Sequence, residues 1–575
     1  MLADIIIVAA VLVPAALAVL AMVPGQRRRV SRLAVAAPLP ALLAAGLPQA
    51  ADVPADVVHL GLFLGLDSHG PVFLLAIALV WMAAAWQAAL DRALIDGPGG
   101  RLFLGSLMGA LCGAAGAAVA LEPTGFYLFF TIMTLSAYGL IVSAGAKALW
   151  AGRLFILLAL CGEMAMLAGF MLAAAPPVPG VAVALLFYFG MGTKHAVLPL
   201  HAWLPPAHGA APPQASALLS GPILSTGVLA WLRFMPLAGD AGMAALLPLM
   251  AGGGLLAAFL GAVAGVVQYK PKVVLAYSSV SQMGILTAAA AYAVVVVPES
   301  WGMVVPVLGL FAFHHAVTKG ALFLSVQARR DGRAGRWVFP VQVLLGLSIS
   351  GFALSSGALV KLWLGYAAPH DTGNPWLALV TALLPFAAVG STLLVARFLW
   401  LVRPGTPPAV DHLTTPTPVL ALAGAALIGS WAVAYVIGAP VADALAPGAM
   451  VKAAWPVLVG LGLAAGAVLI GRSPAWCPAW CPAWCMGGWR LRQVIPNGDI
   501  AVWLPRLAGF VARRVPVPDV RAPGDSAVRS GFATVWSWWL DRLERNDAAL
   551  TSMAVLGTGA VLVALALGLA FSVPA

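Results

Sequence analysis

Charge is what this chain has least of. Of 575 residues only 9% are charged, 31 basic and 20 acidic, against 62% hydrophobic, and the mean hydropathy is +0.98. Soluble domains carry roughly a quarter of their residues as charges, so a soluble globular fold is excluded. Cysteine is scarce too: there are five, and two of them (Cys112 and Cys161) sit inside apolar runs, which excludes a disulfide framework. The sequence has neither a Gly-rich nucleotide-binding turn nor a common Fe–S cysteine spacing. No cofactor is therefore expected, and a redox enzyme acting alone is a weak reading.

What the chain does have is apolar runs of about 20 residues, the length a helix needs to cross a hydrocarbon core of about 30 Å. They recur along nearly the whole sequence. A membrane β-barrel would show short alternating segments instead, so the predicted fold class is an all-α membrane protein. About 16 transmembrane helices are predicted, near 2–23, 34–50, 72–90, 102–121, 125–145, 151–174, 180–202, 216–235, 244–267, 273–297, 303–327, 338–368, 376–401, 416–437, 454–471 and 551–572. The first run is followed, not preceded, by its arginines, and reads as a spanning helix rather than a cleaved signal.

The charges support this count. Alternate loops hold Arg27, Arg28, Arg29 and Arg32, then Arg92 and Arg101, Lys147 and Arg153, Lys270 and Lys272, Arg329, Arg330, Arg333 and Arg336, and Arg403. The loops between them hold Asp52, Asp56, Asp67, Glu122, Asp240, Glu299 and Asp371, with Lys452 almost their only cation and Arg233 at a span edge. By the positive-inside rule the N-terminus is expected outside a bacterial inner membrane. The net charge of +11 is then topology, and no nucleic-acid partner is expected. Residues 472–550 form a polar, basic segment expected on the cytoplasmic face. Its Trp536–Arg545 stretch reads as an amphipathic surface helix, and its repeat ending at Cys477, Cys481 and Cys485 as a Trp/Pro anchor at the interface rather than a metal site.

Nineteen of the 20 acidic residues fall in loops or near helix ends; only Glu163 lies well inside an apolar span. Lys194, Lys319 and Lys361 lie within or against apolar helices, Lys272 starts one, and His195, His201, His208, His314 and His315 sit among them. A charge at membrane depth costs about 2.5–3.5 kcal/mol, so such a row must face inward, paired or hydrated. A buried lysine beside a movable opposite charge can take up and release protons, and histidine can bridge such lysines. Two spans look interrupted there. Pro199 should kink or break the seventh just after Lys194, and Ser355-Ser356-Gly357 is a weak point one turn before Lys361.

The run Lys194-His-Ala-Val-Leu-Pro-Leu-His201-Ala-Trp-Leu-Pro-Pro-Ala-His208-Gly-Ala-Ala-Pro-Pro-Gln214-Ala-Ser216 resembles the signature of the antiporter-like membrane subunits of respiratory complex I, membrane-bound hydrogenases and multisubunit sodium/proton antiporters. Lys272-Val-Val-Leu-Ala-Tyr277-Ser-Ser-Val-Ser-Gln-Met-Gly284, His315-Ala-Val-Thr-Lys319 and Lys361 follow in the family's order, so the resemblance covers roughly 125–370. It implies two inverted five-helix repeats, each with a broken helix and half of a hydrated channel. The implied organisation is TM1–3 (1–101), a first half-channel (102–235), a second (236–405), TM14–15 (406–471), the surface segment (472–550), which looks like a shorter form of complex I's lateral element, and a last helix (551–575). By the same resemblance Lys194 is the central lysine of the first half. Lys272, His315 and Lys319, with His201 and His208, form the relay, and Lys361 releases the proton outward.

The chain departs from the family where a glutamate is usual in the fifth span. Here Phe130-Thr131-Ile132-Met133-Thr134 puts a threonine at that place. Ser225 stands where hydrogenase-type members tend to have lysine, and Lys270 where an acid is common. Glu163, one helix on, is the expected substitute partner of Lys194. The function implied is a proton-translocating, itself non-catalytic subunit of a complex I-like or hydrogenase-like assembly, with membrane subunits and a cytoplasmic redox or transport protein as partners. The alternative is a sodium/proton antiporter subunit or the proton-coupled partner of an inorganic-carbon uptake system.

Overall fold

A computed structural model describes residues 2–47, 55–56, 63–174, 180–295, 298–329, 332–367, 374–406 and 413–472. The chain opens with α1 (Leu2–Met22), α2 (Arg27–Leu33), α3 (Leu39–Ala45), a two-residue strand pair (Ala55–Asp56 with Phe63–Leu64), α4 (Gly70–Leu90) and α5 (Arg92–Asp96). A first set follows: α6 (Gly100–Val119), α7 (Pro123–Val142), α8 (Leu149–Ala173), α9 (Gly180–Gly192), α10 (Leu204–Ala210), α11 (Pro213–Ser220) and α12 (Pro222–Phe234). The second set is α13 (Gly239–Val266), α14 (Pro271–Val295), α15 (Pro298–Ser325), α16 (Gly332–Gly335), α17 (Val338–Ser350), α18 (Ser356–Ala367) and α19 (Pro375–Leu401). The described part closes with α20 (Thr417–Gly424), α21 (Ser430–Val436), α22 (Val441–Ala444) and α23 (Pro447–Arg472). The predicted surface segment beyond Arg472, its cysteine repeat and the predicted last helix lie outside the described residues.

Hydrocarbon offers no partner to backbone amides, so a chain this apolar satisfies them within helices. Among the described residues twelve helices are long and apolar enough to cross a bilayer, and the protein is a multi-pass membrane protein. The predicted number was about 16, and part of the difference is that several predicted spans come in pieces. The second, 34–50, holds only a turn over 34–38 and the seven-residue α3, where Pro38 and Pro40 withhold backbone donors. The seventh breaks, but α9 already ends at Gly192, so Lys194 lies inside the break instead of before it. The twelfth breaks over Gly351–Ser355. Gly351 ends α17 in the left-handed conformation (φ 85°), and Ser355 starts α18 by accepting the Ala358 N–H at 3.2 Å. The eighth span also splits, at Gly221, where Pro222 lacks an N–H and a Cβ on Gly221 would lie 2.9 Å from the Ala316 carbonyl of α15.

Small residues let the helices touch backbone to backbone, the usual cement where burial gives little drive between helices in lipid. A Cβ on Gly113 of α6 would come 2.4 Å from the Met133 nitrogen of α7, and one on Gly261 of α13 would come 2.8 Å from the Ser281 nitrogen of α14. The first two helices of each set are therefore joined in the same way. Long-range bonds gather the basic loops on one face. Arg27 donates to the carbonyls of Ile95, Asp96 and Gly97, Gln327 to Asp91, and the Arg329 amide to Thr414.

Candidate functional site

The first break is made by sequence and held by packing. Lys194, His195 and Ala196 follow the end of α9, and Ala196 adopts φ 60°. Leu354, in the second break, has φ 67°. Among the described residues these are the non-glycine residues with positive φ, a conformation that costs an ordinary residue about 1–2 kcal/mol. Strain of this kind persists where the surroundings over-determine it, and it tends to cluster at functional sites. Here it occurs twice, once in each break. Gly227 of α12 makes room for the first break: a Cβ there would meet the Lys194 Cβ at 2.9 Å and the His195 nitrogen at 3.0 Å.

Glu163 reaches this break from α8. Gly162 and Gly190 bring α8 and α9 into backbone contact, since a Cβ on Gly190 would lie 2.6 Å from the Met166 nitrogen. Glu163 and Lys194 are each 2% exposed, with Nζ 3.4 Å from Oε1. Two hydroxyls of α7, one helical turn apart, join them. Thr131 donates to Glu163 Oε2 at 3.1 Å, and Thr134 bonds to Glu163 Oε1 while accepting from Lys194 Nζ. The rings of Phe130 and Phe155 stand 4.9 and 5.3 Å from Nζ, and these cation–π contacts close the site to lipid. Thr131, at the place where the resemblance implied an acid, thus holds the carboxylate carried by the next helix.

The remaining predicted residues are spread across the molecule. His201 and His208 are buried, and His208 stacks on Phe323 at 4.6 Å. Lys272 donates to the Ala211 carbonyl (2.5 Å), and Lys319, fully buried, to that of Leu275 (2.9 Å). Lys361 donates to the Ser350 carbonyl at the end of α17 (2.6 Å). His314 joins Ser356 at 3.1 Å, and Ser356 joins Ser348 at 3.3 Å. Glu163 and Lys194 are thus brought into contact, whereas Lys272, Lys319 and Lys361 each hold a backbone carbonyl. Among the described residues, the ring nitrogens of His208 and the hydroxyls of Ser216 and Thr318 are buried without a protein hydrogen-bond partner. Polar atoms so placed are ordinarily hydrated.

Two features escaped the sequence reading. Thr134 could have been found, because it lies three residues after Thr131 and so on the same helical face. Arg233 could not. It lies 5% exposed at the end of α12, gripping both oxygens of Asp67 (2.7 and 2.8 Å) and the carbonyls of Ala117, Ala118 and Ala120 that end α6. Burial pushes the Asp67 carboxyl up, but Arg233, with the Gly70 N–H, outweighs it and brings it down to about 2.

Comparison with known proteins places this geometry. Residues 180–373, about one third of the chain, match the family described as NADH:quinone oxidoreductase/Mrp antiporter, transmembrane. Hydrogenase-4 component B of Escherichia coli is 34% identical over 230 residues, which is 35% of this chain and 34% of that protein, so the chain spans about a third of that relative's length. Among solved structures, a chain of the Mrp complex from a Dietzia species superposes with a TM-score of 0.60 at 20% identity, covering 80% of this chain and 100% of that one. A chain of respiratory complex I from Thermus thermophilus gives 0.60 at 23% identity, covering 78% and 99%. Those solved chains belong to multi-subunit membrane complexes. Residues 180–373, the stretch that matches the NADH:quinone oxidoreductase/Mrp antiporter transmembrane family, hold both helix breaks and all four lysines of the site, and the described chain has the fold of these solved membrane-complex chains.

Proposed function

We propose that the protein moves protons across a bacterial inner membrane as one membrane subunit of a complex I-like or hydrogenase-like assembly. The observation that carries this is the Glu163–Lys194 pair, an acid and a base held together by a hydroxyl, away from lipid, at a broken helix. A static buried ion pair is weak as a source of stability, because desolvation offsets most of the attraction. Its value lies in being switchable: moving either helix changes how firmly Lys194 holds its proton. The proton would leave Lys194 along the hydrated polar groups around His201, His208, Lys272, His315 and Lys319, and exit through Lys361 at the second break. Residues 102–235 and 236–405 are the two half-channels in this reading. The basic loops gathered on one face support a cytoplasmic orientation of that face and an outside N-terminus, and a cytoplasmic redox partner would bind there.

The same pair favours protons over the alternatives of sodium exchange or inorganic-carbon uptake. A sodium site is a cage of oxygens, whereas here an ammonium already occupies the carboxylate's field. The test is Lys361→Ala in sealed membrane vesicles, with assembly checked by the subunits that copurify. Transport should fall by about a hundredfold or more, the usual worth of a positioned proton-transfer group. Undiminished proton uptake in an intact assembly would overturn the proposal.

A further inference from the structure

The distance between Lys194 and Glu163 is long for a proton hop. At 3.4 Å, Nζ and Oε1 lie beyond the usual 2.7–3.2 Å of an N–H···O bond. Thr134 lies between them, buried, and its single hydroxyl hydrogen has two acceptors. One is Glu163 Oε1; the other is the Phe130 carbonyl one turn back on α7, at 2.9 Å. The Lys194 ammonium, having no lone pair, can only donate to Oγ1, so the hydroxyl must turn its own hydrogen to one of these two oxygens.

We propose that Thr134 is a two-position proton bridge through which Lys194 and Glu163 exchange their charges. With the hydroxyl turned to Glu163, a proton leaves Nζ for Oγ1 as the hydroxyl's proton leaves Oγ1 for Oε1. One N–H and one O–H bond break, two O–H bonds form, and no electrons are transferred. The ammonium–carboxylate pair becomes an amine and a carboxylic acid. With the hydroxyl turned to the Phe130 carbonyl the path is open-circuited and the ion pair persists. Thr131 holds the other carboxylate oxygen, so the acid stays in place in both states. The bridge accounts for the threonine pair on α7: once the acid is on α8, one hydroxyl anchors it and the other joins it to the lysine.

This inference rests on the proposal that Lys194 carries protons, and the experiment separates the two. In the full chain within its native assembly, the carboxylic acid of Glu163 is followed by infrared difference spectroscopy after a pH jump, its band assigned by its loss in Glu163→Gln. Thr134→Val should slow the appearance of the band by about tenfold or more, the worth of one hydrogen bond to a charged group, and Thr134→Ser should restore it to within about threefold. A band that forms at the wild-type rate in Thr134→Val, or as slowly in Thr134→Ser as in Thr134→Val, would overturn the bridge. Should the valine variant fail to assemble, the wild-type protein decides. In mixtures of light and heavy water the rate should curve with deuterium fraction, as two protons moving together require, and a straight line refutes the bridge. Wild-type vesicles that move no protons while these signals hold would refute the transport proposal and leave the bridge standing.

Discussion

Arg233–Asp67, half-buried, and Glu163–Lys194, fully buried, are both ion pairs between separate parts of the chain, and they are built to opposite ends. Arg233 sits at the rim with five bonds, two to Asp67 and three to the carbonyls that end α6. Every donor has a fixed geometric partner, as the planar guanidinium favours, and a guanidinium does not give up its proton. Lys194 sits buried in a strained, broken helix, sharing one hydroxyl with its acid. A lysine can lose its proton and rotate its donors. In the proposed reading the first pair is a clamp and the second a switch, and the difference follows from which cation is used and how much backbone is left to fill its remaining bonds.

The largest effect should come from breaking the clamp. Arg233→Leu strands Asp67 and three carbonyls, at a cost of about 4 kcal/mol, read as a fall in thermal unfolding of the solubilised protein. A fall within error would show that the pair is no clamp. Next, Lys194→Met should cost about 3 kcal/mol by leaving Glu163 charged and unpaired, and adding Glu163→Gln should recover most of it, because Thr131 and Thr134 can still bond the amide. Proton transport should stay lost in both. The equivalent rescue, Asp67→Asn added to Arg233→Leu, should fail, because the α6 carbonyls remain without donors. If both double variants recover alike, the distinction between clamp and switch is wrong.

Acid gives a smaller contrast. The Asp67 carboxyl is held at about 2, below its ordinary 3.8. Its contribution, about 2 kcal/mol, is therefore fully present above pH 4 and is lost as pH falls from 4 through about 2. Asp67→Asn should flatten the unfolding curve in that window and leave its slope between pH 5 and 8 unchanged. The smallest effect should be that of Thr131→Val, about 1 kcal/mol for one hydrogen bond to a carboxylate that keeps its second anchor. Transport should slow severalfold without being abolished, and complete loss would mean that Thr131 is itself part of the path.

Much of the fold can be read from composition. A chain with 9% charge must place nearly all of its length in apolar helices, and the few ionisable residues left inside mark the site. Pro199 announced the seventh-span break, but its start is set at Gly192, because the backbone needed room against Gly227 that no local pattern reveals. The split at Gly221 was written in the Gly-Pro pair, where a proline follows a residue free to leave the helix, and passed unnoticed within a continuous apolar run. The turn that interrupts the predicted second span likewise follows from Pro38 and Pro40.

By itself, then, the sequence determined the membrane class, the two broken helices and the list of titratable side chains, since each depends on local hydropathy or on a local weak point in the chain, a proline in the first break and serines and glycines in the second. Only the tertiary structure decided that Glu163 meets Lys194 through Thr134, and that Arg233 closes on Asp67, 166 positions away. Those contacts depend on which helix faces come together and on glycines that allow backbones to touch. Such facts belong to packing between distant segments, and no single stretch of chain encodes them.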